Sequence, residues 1–478
     1  MKRLRAVVVT LVVLLGGFAV VSAQNWTPLT NQPTFSASNA YLLTDGRVMV
    51  QDTEAADWWA LTPDITGSYL NGTWSQLASL PAGYTPLYYA GAVLPDGRLA
   101  ILGGEYNGGS KEVWTNLGAI YTPKTNTWKK LNHPSGWFTV GDAQSVILDN
   151  GTMMVANCCT TGEALLNAKT LTWTSTGLGK ADINDEEGWT LLPNGNVLTV
   201  DANSGNTNSE IYSPGNGSWS SAGSTIVELV DPSSHELGPA VLRPDGTVFY
   251  AGATGHNAVF NSVTSTWSAA PDFPLDKGKQ LDIADGPAAL LPSGNVLLMT
   301  SPGVFKPDVH FFEWNGSTLT EVGKTPNSPT DVSYYGRMLV LPTGQILLTD
   351  GSNDVELYDS AGSPSPAWAP TITKFTKTLT HGKSSVVQGT QFNGLSQGSA
   401  YGDDAQSASN YPLVRITNNA TGHVFYATTS NPSSMGVATG SLVVTSHFAV
   451  PAGIELGASQ LEVVVNGIAS APVSVNII

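Results

Sequence analysis

Short apolar runs alternate with glycine-centred polar turns along most of this chain, and the pattern repeats at intervals of about fifty residues. One apolar run precedes each turn and a second follows it, as Ala240-Val241-Leu242 and Val248-Phe249-Tyr250 do around one of them. Asp-Gly and related pairs suit tight β-hairpins, so each repeat begins with two antiparallel strands. Repeats of this length are typical of propellers and arrays. The turns are Thr44-Asp45-Gly46, Pro95-Asp96-Gly97, Asp149-Asn150-Gly151, Pro193-Asn194-Gly195, Pro244-Asp245-Gly246, Pro292-Ser293-Gly294 and Pro342-Thr343-Gly344.

Most repeats continue with a third apolar run that ends in an aromatic residue, and a tryptophan follows after a polar turn. Four strands of this kind cannot bury both faces of their sheet alone, so neighbouring repeats must stack around a ring. The segment Asn25 to Leu29 copies the outermost strand of a repeat. We therefore expect it to complete the seventh blade and remove two open sheet edges. The repeat tryptophans are Trp74, Trp128, Trp173, Trp219 and Trp267.

Composition and termini support an exported all-β protein. The chain has 50 glycines and 29 prolines but no long helical periodicity, so helix should be scarce. Residues 1–23 combine basic residues, an apolar core and a small-residue cleavage site, which predicts a signal peptide and a secreted protein. No later segment is apolar enough to predict a membrane span. The net charge of −16 argues against nucleic acid as a partner.

The repeats end after Tyr358, and a proline-rich stretch near Pro370 predicts a domain boundary. The predicted order is a signal peptide over 1–23, a seven-bladed propeller over 24–369 and a second domain over 370–478. The second domain has longer strands without Asp-Gly hairpins, which is typical of an immunoglobulin-like β-sandwich.

Function should lie at the channel mouth opposite the hairpin turns, where the innermost strands begin. Positions about nine residues before each turn glycine, with their neighbours, are mostly acidic or tyrosine. They predict an acidic, aromatic rim that binds carbohydrate or another extracellular ligand. Crowded carboxylates would also raise one another's proton affinity or attract a divalent cation. A polar rim without a ligand is the alternative, because water fills any propeller funnel. The candidate ligand-binding residues are Tyr88, Asp142, Glu186, Glu187, His235, Glu236, Asp285, Tyr334 and Tyr335.

Several strings are specific enough to suggest a family. They are Asp185-Glu186-Glu187-Gly188-Trp189, His235-Glu236-Leu237-Gly238-Pro239 and Tyr401-Gly402-Asp403-Asp404 with Asn410-Tyr411-Pro412. On these strings, the chain resembles secreted bacterial kelch-type proteins of the galactose-oxidase-like class. The resemblance implies a seven-bladed propeller followed by an immunoglobulin-like domain, and it implies no settled activity. The second-domain strings are interpreted as a segment that docks against the propeller, with a recognition loop as the alternative.

The resemblance also allows a test for copper radical chemistry. That chemistry needs two tyrosines, two histidines and a cysteine linked to one tyrosine, with a Tyr-His pair before the last hairpin. Here the pair reads Tyr334-Tyr335, and a phenol cannot replace a neutral imidazole without changing charge and geometry. His423 is the candidate second-domain histidine, with a local hydrogen bond as the alternative. The sequence argues against copper and leaves a divergent oxidoreductase or a carboxylate-based sugar hydrolase or lyase as the alternatives to binding.

Cys158 and Cys159 are the two cysteines of the chain. In an exported protein they could form a vicinal disulfide, or both could stay reduced.

Overall fold

The computed structural model describes residues 26–205 and 207–478, so the predicted signal peptide lies outside the described residues. The described chain is built from β-strands, and its helical elements are the two 3₁₀ turns Ser333–Tyr335 and Pro366–Trp368. None of the described helices has the length and apolar character needed to cross a bilayer. The expectation of an all-β chain with little helix is confirmed.

Seven four-stranded antiparallel sheets form the blades of a propeller. Within blades 1 to 6 the strands are hydrogen-bonded in chain order, and the first strands of neighbouring blades contact one another around the axis, including those of blades 7 and 1. The strands are Ala37–Leu42, Val48–Asp52, Trp58–Thr62 and Thr73–Gln76 in blade 1; Ala90–Val93, Leu99–Leu102, Gly118–Thr122 and Thr127–Lys130 in blade 2; Ser145–Ile147, Met153–Ala156, Glu163–Asn167 and Thr172–Thr176 in blade 3; Thr190–Leu191, Val197–Val200, Asn208–Ser213 and Ser218–Ser224 in blade 4; Ala240–Leu242, Thr247–Ala251, Asn257–Asn261 and Thr266–Ala270 in blade 5; Ala288–Leu290, Val296–Thr300, His310–Trp314 and Leu319–Val322 in blade 6; and Arg337–Val340, Ile346–Thr349, Glu356–Tyr358 and Trp26–Pro28 in blade 7. Two short two-stranded antiparallel sheets lie outside the blades, Pro86–Leu87 with Tyr106–Asn107 and Leu275–Asp276 with Lys279–Gln280.

The first described strand closes the ring. Trp26–Pro28 pairs antiparallel with Glu356–Tyr358, the third strand of blade 7, so the two ends of the propeller share one sheet. This pairing supplies the fourth strand of blade 7 and covers an edge of its third strand. The predicted closure by this segment is confirmed.

Outer-strand tryptophans connect blades 7, 1, 2 and 3 to the blade that precedes each of them in the ring. Their indole N–H groups donate to backbone carbonyls of the preceding blade's outer edge, which satisfies a half-buried donor while the ring covers apolar surface. These bonds run from Trp26 to Gly323 (2.8 Å), Trp74 to Asn31 (3.0 Å), Trp128 to Ala78 (2.9 Å) and Trp173 to Asn132 (2.5 Å).

The C-terminal strands form one curled nine-stranded sheet with its own apolar core, which includes Phe392, Val414 and Phe448. An immunoglobulin-like sandwich for this region remains a prediction. The strands are Thr371–Lys374, Thr378–Leu379, Ser384–Thr390, Leu413–Asn418, Val424–Ser430, Val443–Ala449, Gly457–Val465, Ile468–Ala469 and Val473–Ile477.

This sheet packs on the hairpin-turn face of the propeller. The backbone N–H of Thr429 donates to the Thr44 carbonyl (3.0 Å), and that of Met435 donates to the Asp149 carbonyl (2.8 Å). Both acceptors lie at the Asp-Gly or Asn-Gly turns that end the first strands. The opposite mouth of the channel is therefore the one left free of the second sheet.

Residues 391–412, here called the channel segment, run from the second sheet into the propeller axis. Its short strand Ser399–Ala400 pairs with the innermost strand of blade 6. The Ser407 hydroxyl donates to the Ala40 carbonyl (2.8 Å). On the other side, the Gln397 side chain accepts from the Leu191 backbone N–H (2.7 Å). The segment thus fills the channel from the turn face and brings its acidic residues up beneath the opposite mouth, as the docking interpretation expected.

Candidate functional site

A cavity of about 440 Å³ occupies the channel mouth opposite the hairpin turns. Its walls come from the loops that enter the first strands and from the loops that follow the second strands, so residues far apart in sequence converge on it. A volume of this size is within the range of small-molecule sites. The lining residues are Glu54, Leu87, Tyr88, Glu105, Tyr106, Gly109, Ser110, Asp142, Glu186, Glu236, Asp285, Phe305, Tyr334 and Tyr335.

Many of the lining residues have a left-handed backbone. This conformation is uncommon in residues other than glycine and costs on the order of 1 kcal/mol each. It turns the chain sharply at the strand entrance and directs the side chain over the channel instead of along the blade. Because these left-handed conformations cluster at one cavity, they indicate that the loops of the mouth have a function beyond connecting strands. The residues are Glu54 (φ 55°), Tyr88 (φ 51°), Glu186 (φ 59°), Asp285 (φ 43°) and Phe305 (φ 55°).

Three carboxylates from consecutive blades meet in the cavity and are here called the mouth triad. Glu186, Glu236 and Asp285 each place an oxygen within 4.8 Å of the others. Burial, and then the neighbouring carboxylates, raise the pKa of each of these three groups above its usual range. One oxygen of Glu236 accepts no hydrogen bond, although the residue is only 8% exposed. The raised pKa values favour protonated forms of the triad, because little hydrogen bonding or positive charge nearby stabilises its carboxylates.

A second group of carboxylates, here called the deep triad, lies where the channel segment reaches the mouth. Asp142 from blade 3 meets Asp403 and Asp404 of the channel segment, with oxygens within 4.8 Å of one another. Asp403 and Asp404 are almost completely buried. Burial, followed by repulsion from neighbouring carboxylates, raises the pKa of Asp142 and Asp403.

One guanidinium lies among these acids. Arg337 begins the innermost strand of blade 7, is buried, and stacks on the ring of Tyr401 at 4.0 Å and more loosely on that of Tyr88 at 5.6 Å. Its Nε donates to Asn39 (2.9 Å), and its Nη1 donates to the carbonyls of Tyr334 (2.6 Å) and Gly336 (2.9 Å). The guanidinium therefore fixes the mouth of blade 7 while offsetting part of the negative charge.

Aromatic rings form the outer wall of the cavity. Tyr334 makes edge contacts with Phe305 at 4.9 Å and with Tyr335 at 4.8 Å, and Tyr88 contacts Tyr106 at 6.1 Å. Tyr335 is 44% exposed, so its ring is available to a ligand. Burial raises the pKa of Tyr334 and of Tyr106 to about 12, so both are neutral phenols that can donate hydrogen bonds.

Glu105 stands apart from the two triads on the same wall. Burial raises its pKa to about 7, partly offset by a hydrogen bond from Tyr106. A carboxyl group with this pKa changes protonation near neutral pH, which is the property that general acid–base catalysis requires.

The structure brings together most of the residues that the sequence predicted for the rim. Tyr88, Asp142, Glu186, Glu236, Asp285, Tyr334 and Tyr335 all line the one cavity.

Two of the predicted rim residues lie elsewhere. Glu187 is fully buried in blade 4, where it accepts from the Lys180 ammonium (3.0 Å), which also contacts Glu210 (2.6 Å). The His235 ring is directed away from the cavity, with Nδ1 3.2 Å from the Ala202 carbonyl oxygen. Both residues adjoin cavity residues in sequence, but the chain turns sharply at the left-handed residues Glu186 and His235, so adjacent side chains point in different directions.

Sequence reasoning missed Arg337, Asp403 and Asp404 as members of the site. Arg337 has no counterpart at the same position of the other repeats, so periodicity does not single it out. The tandem Asp403-Asp404 was noticed as part of a docking segment. Only the path of that segment through the channel places the two acids beside Asp142.

The residues present do not fit a copper radical centre. None of the cavity-lining residues in the described chain is a histidine. His423 lies at the edge of the second sheet, where its Nδ1 is 2.6 Å from a Glu455 carboxylate oxygen, as the local-bond alternative expected. The channel segment contributes the carboxylates of Asp403 and Asp404 to the channel and no imidazole.

Cys158 and Cys159 are free thiols in the structure, so the vicinal disulfide is not formed. Both sulfur atoms lie near one oxygen of Asp185, at 3.5 and 3.2 Å. The reduced alternative is the one observed.

No family model and no curated protein sequence matches the chain. Among solved structures, the extracellular domain of a putative hybrid two-component system from B. thetaiotaomicron is similar at 12% identity, with a TM-score of 0.50. That alignment covers 95% of this chain, and this chain spans 59% of the length of the other. The likeness supports the fold alone.

Two further structures are similar at lower TM-scores. A fungal alcohol oxidase of the AA5 family, solved with copper, has 15% identity and a TM-score of 0.42 over 94% of this chain and 86% of its own. A virginiamycin B lyase from Staphylococcus aureus has 10% identity and a TM-score of 0.48 over 70% of this chain and 98% of its own.

Proposed function

We propose that this protein binds carbohydrate at the acidic, aromatic mouth of its propeller channel. The observation that carries the proposal is the single cavity in which residues from most blades converge. Its outer wall supplies aromatic rings, which can stack on the apolar faces of sugar rings. Its floor supplies carboxylates and neutral phenols, which can accept and donate hydrogen bonds to hydroxyl groups.

The wall and the floor have separate roles in this proposal. Tyr334, Tyr335 and Phe305 hold the sugar ring through stacking, and Glu186 and Glu236 select the arrangement of its hydroxyls. The acidic floor disfavours anionic sugars, because their carboxylates or sulfates would face carboxylates at short range. We therefore expect neutral or amino sugars to bind in preference to uronic acids.

A glycan array probed with the purified protein, followed by titration calorimetry on the best neutral ligand, tests this function. Glu186→Gln keeps the shape of the mouth and replaces a carboxyl group whose raised pKa favours its protonated form, so the affinity should fall by about tenfold, close to the loss of one hydrogen bond. The matched control is Asp272→Asn, an exposed carboxylate that pairs with His256, and it should bind like the wild type. Equal affinity of Glu186→Gln and the wild type, or preference for uronic acids, would count against the proposal.

The second candidate is a sugar hydrolase or lyase, and Glu105 is the observation that favours it. With a pKa of about 7 and a neighbouring phenol, Glu105 can act as a general acid or base beside the carboxylates of the mouth triad. Product release from a bound neutral glycan, lost in Glu105→Gln but retained in Asp272→Asn, would favour catalysis over binding alone. Intact glycan after long incubation would favour binding.

We also propose that the protein is a secreted, kelch-type propeller with an immunoglobulin-like second domain, and that residues 1–23 are removed on export. The basic, apolar and small-residue order of that segment supports this proposal. N-terminal sequencing of protein recovered outside the cytoplasm should begin at Gln24. A protein that keeps residues 1–23 and stays in the cytoplasm would contradict it.

A further inference from the structure

The carboxylate of Asp404 is the most poorly satisfied acid in the channel. Asp404 is 0% exposed, and neither of its oxygens accepts a hydrogen bond of acceptable geometry. Burial raises the pKa of Asp404, whereas the Arg337 guanidinium and then nearby backbone amides, including those of Ala405 and Tyr89, favour its charged form in part. A buried carboxylate that accepts no well-formed hydrogen bond costs free energy unless it is protonated or paired with a cation.

The other two carboxylates of the deep triad, Asp142 and Asp403, point into the same space. Asp142 also has an oxygen without a hydrogen-bond partner, and the ligand oxygens of Asp142, Asp403 and Asp404 all lie within 4.8 Å of one another. Asp403 accepts from the Asp404 backbone N–H (2.7 Å), which holds the tandem acids in a fixed turn. Three carboxylate oxygens therefore face one point from two separate parts of the fold.

Among the described residues, no ion pair joins a lysine to a carboxylate of the deep triad. The comparable cluster of Asp182, Glu187 and Asp201 has the buried ammonium of Lys180, at 3.0 Å from Glu187 and 3.9 Å from Asp201. Beside the deep triad the nearest cation is Arg337, whose Nε and Nη1 donate to neutral oxygens of Asn39, Tyr334 and Gly336. The mouth triad adds further negative charge on the opposite side.

We propose that the deep triad binds one hard divalent cation, with Ca²⁺ as the preferred ion. An all-carboxylate donor set selects Ca²⁺, Mg²⁺ or Mn²⁺ over softer ions. Calcium accepts irregular geometry with several oxygen ligands and water, which suits three carboxylates at the base of a water-filled cavity. Asp142 lines that cavity and offers the ion a route of entry.

An ion at this position links two separate parts of the fold. Asp142 belongs to the propeller, and Asp403 and Asp404 belong to the channel segment of the second domain. An ion bound by all three ties the tip of that segment to blade 3. It also neutralises charge beneath the mouth. The proposal stands on these contacts and does not depend on which ligand the mouth binds.

Calorimetric titration of chelator-treated, full-length protein with Ca²⁺, and separately with Mg²⁺, tests the site. The wild type should bind one Ca²⁺ and melt at a temperature higher by several degrees once Ca²⁺ is at about a hundred times its Kd. Asp404→Asn and Asp142→Asn should each lose at least tenfold in Ca²⁺ affinity and most of the melting shift. Without Ca²⁺, both variants should melt no lower than the wild type, because an amide relieves repulsion among the carboxylates.

Two controls separate this site from the remaining acids. Asp282→Asn changes a buried carboxylate outside both triads and should keep the Ca²⁺ response. Glu186→Gln removes a carboxyl group that acts on Asp403 from the mouth triad, so it should still bind one Ca²⁺ and lose less affinity than Asp404→Asn. The proposal is overturned if the wild type shows neither binding heat nor a melting shift with Ca²⁺. It is also overturned if Glu186→Gln abolishes the response while Asp404→Asn retains it, or if Mg²⁺ alone binds.

Discussion

At the scale of single residues, the mouth depends on side chains held in unusual backbone conformations. Tyr88, Glu186 and Asp285 occupy the left-handed region at the entrance to their strands, and their side chains line one cavity. Arg337 holds the opposite wall through hydrogen bonds to fixed oxygens and through stacking on Tyr401. These constraints hold the functional groups of the residues in defined positions. Substituting the residues should change ligand affinity and the free energy of unfolding by amounts that can be measured separately.

Tyr335→Ala should weaken binding of the neutral glycan by about tenfold, because it removes an exposed stacking surface. Tyr335→Phe keeps that surface and should stay within about threefold of the wild type if stacking is the main contribution. Titration calorimetry on the three proteins measures the difference. Equal weakening by both substitutions would show that the hydroxyl, and not the ring face, contacts the ligand.

Arg337→Lys should lower the free energy of unfolding by about 2 kcal/mol, because an ammonium cannot make the same set of hydrogen bonds and ring contacts. Chemical denaturation measures the change. Arg98→Lys provides the control, since Arg98 lies in a partly exposed hairpin turn and pairs with Asp96. A loss for Arg337→Lys no larger than that for Arg98→Lys would contradict the role given to the buried guanidinium.

At the scale of elements, tryptophan hydrogen bonds join several blades to their neighbours, and buried polar clusters stabilise individual blades. The clearest cluster lies in blade 4, where the Lys180 ammonium is buried between Glu187 and Glu210 and faces the Trp219 ring at 5.3 Å. Removing one member of a buried ion pair usually costs more than the pair contributes, because the remaining charge stays buried.

Lys180→Met should therefore lower the free energy of unfolding at pH 7 by about 3 to 5 kcal/mol. The loss should shrink at acidic pH, where Glu187, whose pKa burial raises, can take up a proton in place of the ammonium. Urea denaturation at two pH values measures both effects. Lys129→Met, an exposed lysine on the outer strand of blade 2, should change stability by less than about 0.5 kcal/mol. A small, pH-independent loss for Lys180→Met would contradict this account.

The sequence predicted the strands and turns more completely than it predicted the site. Hairpin turns such as Asp245-Gly246, the outer tryptophans and the closing strand at Trp26 repeat a local pattern, so periodicity alone locates them. Repetition likewise placed Glu186 and Asp285 on the rim. It failed for Glu187 and His235, because a neighbouring position in sequence points to the other side of the chain. It could not locate the role of Asp404, which depends on the docking of a distant segment.

At the scale of the whole molecule, the propeller carries more buried acid than buried base, so its stability must depend on pH. Blade 7 shows this clearly at Glu356, beside the closing strand. Burial, followed by the charge of Asp354, raises the Glu356 pKa to about 9, and neither of its oxygens has a hydrogen-bond partner. Burial and the nearby Asp350 raise the pKa of Asp331 to about 8.

The direction in which stability changes with pH follows from proton binding at Glu356. Between the unfolded pKa of about 4.5 and the folded pKa of about 9, the folded state keeps a proton on Glu356 that the unfolded state releases. Stability should therefore fall as the pH rises from 5 to 9. Glu356→Gln should match the wild type near pH 5 and exceed it by at least about 1 kcal/mol at pH 9. Thermal melts across this range test it, with exposed Glu321→Gln as the control; parallel curves for the wild type and Glu356→Gln would contradict the assignment.

The most direct test of the central claim is a crystal structure of the protein with the best neutral glycan from the array. The account predicts the sugar in the channel mouth, with one face on Tyr334 or Tyr335 and its hydroxyls within hydrogen-bond distance of Glu186 or Glu236. A glycan bound on the second sheet or on the outer edge of a blade, with the mouth holding only water, would contradict it.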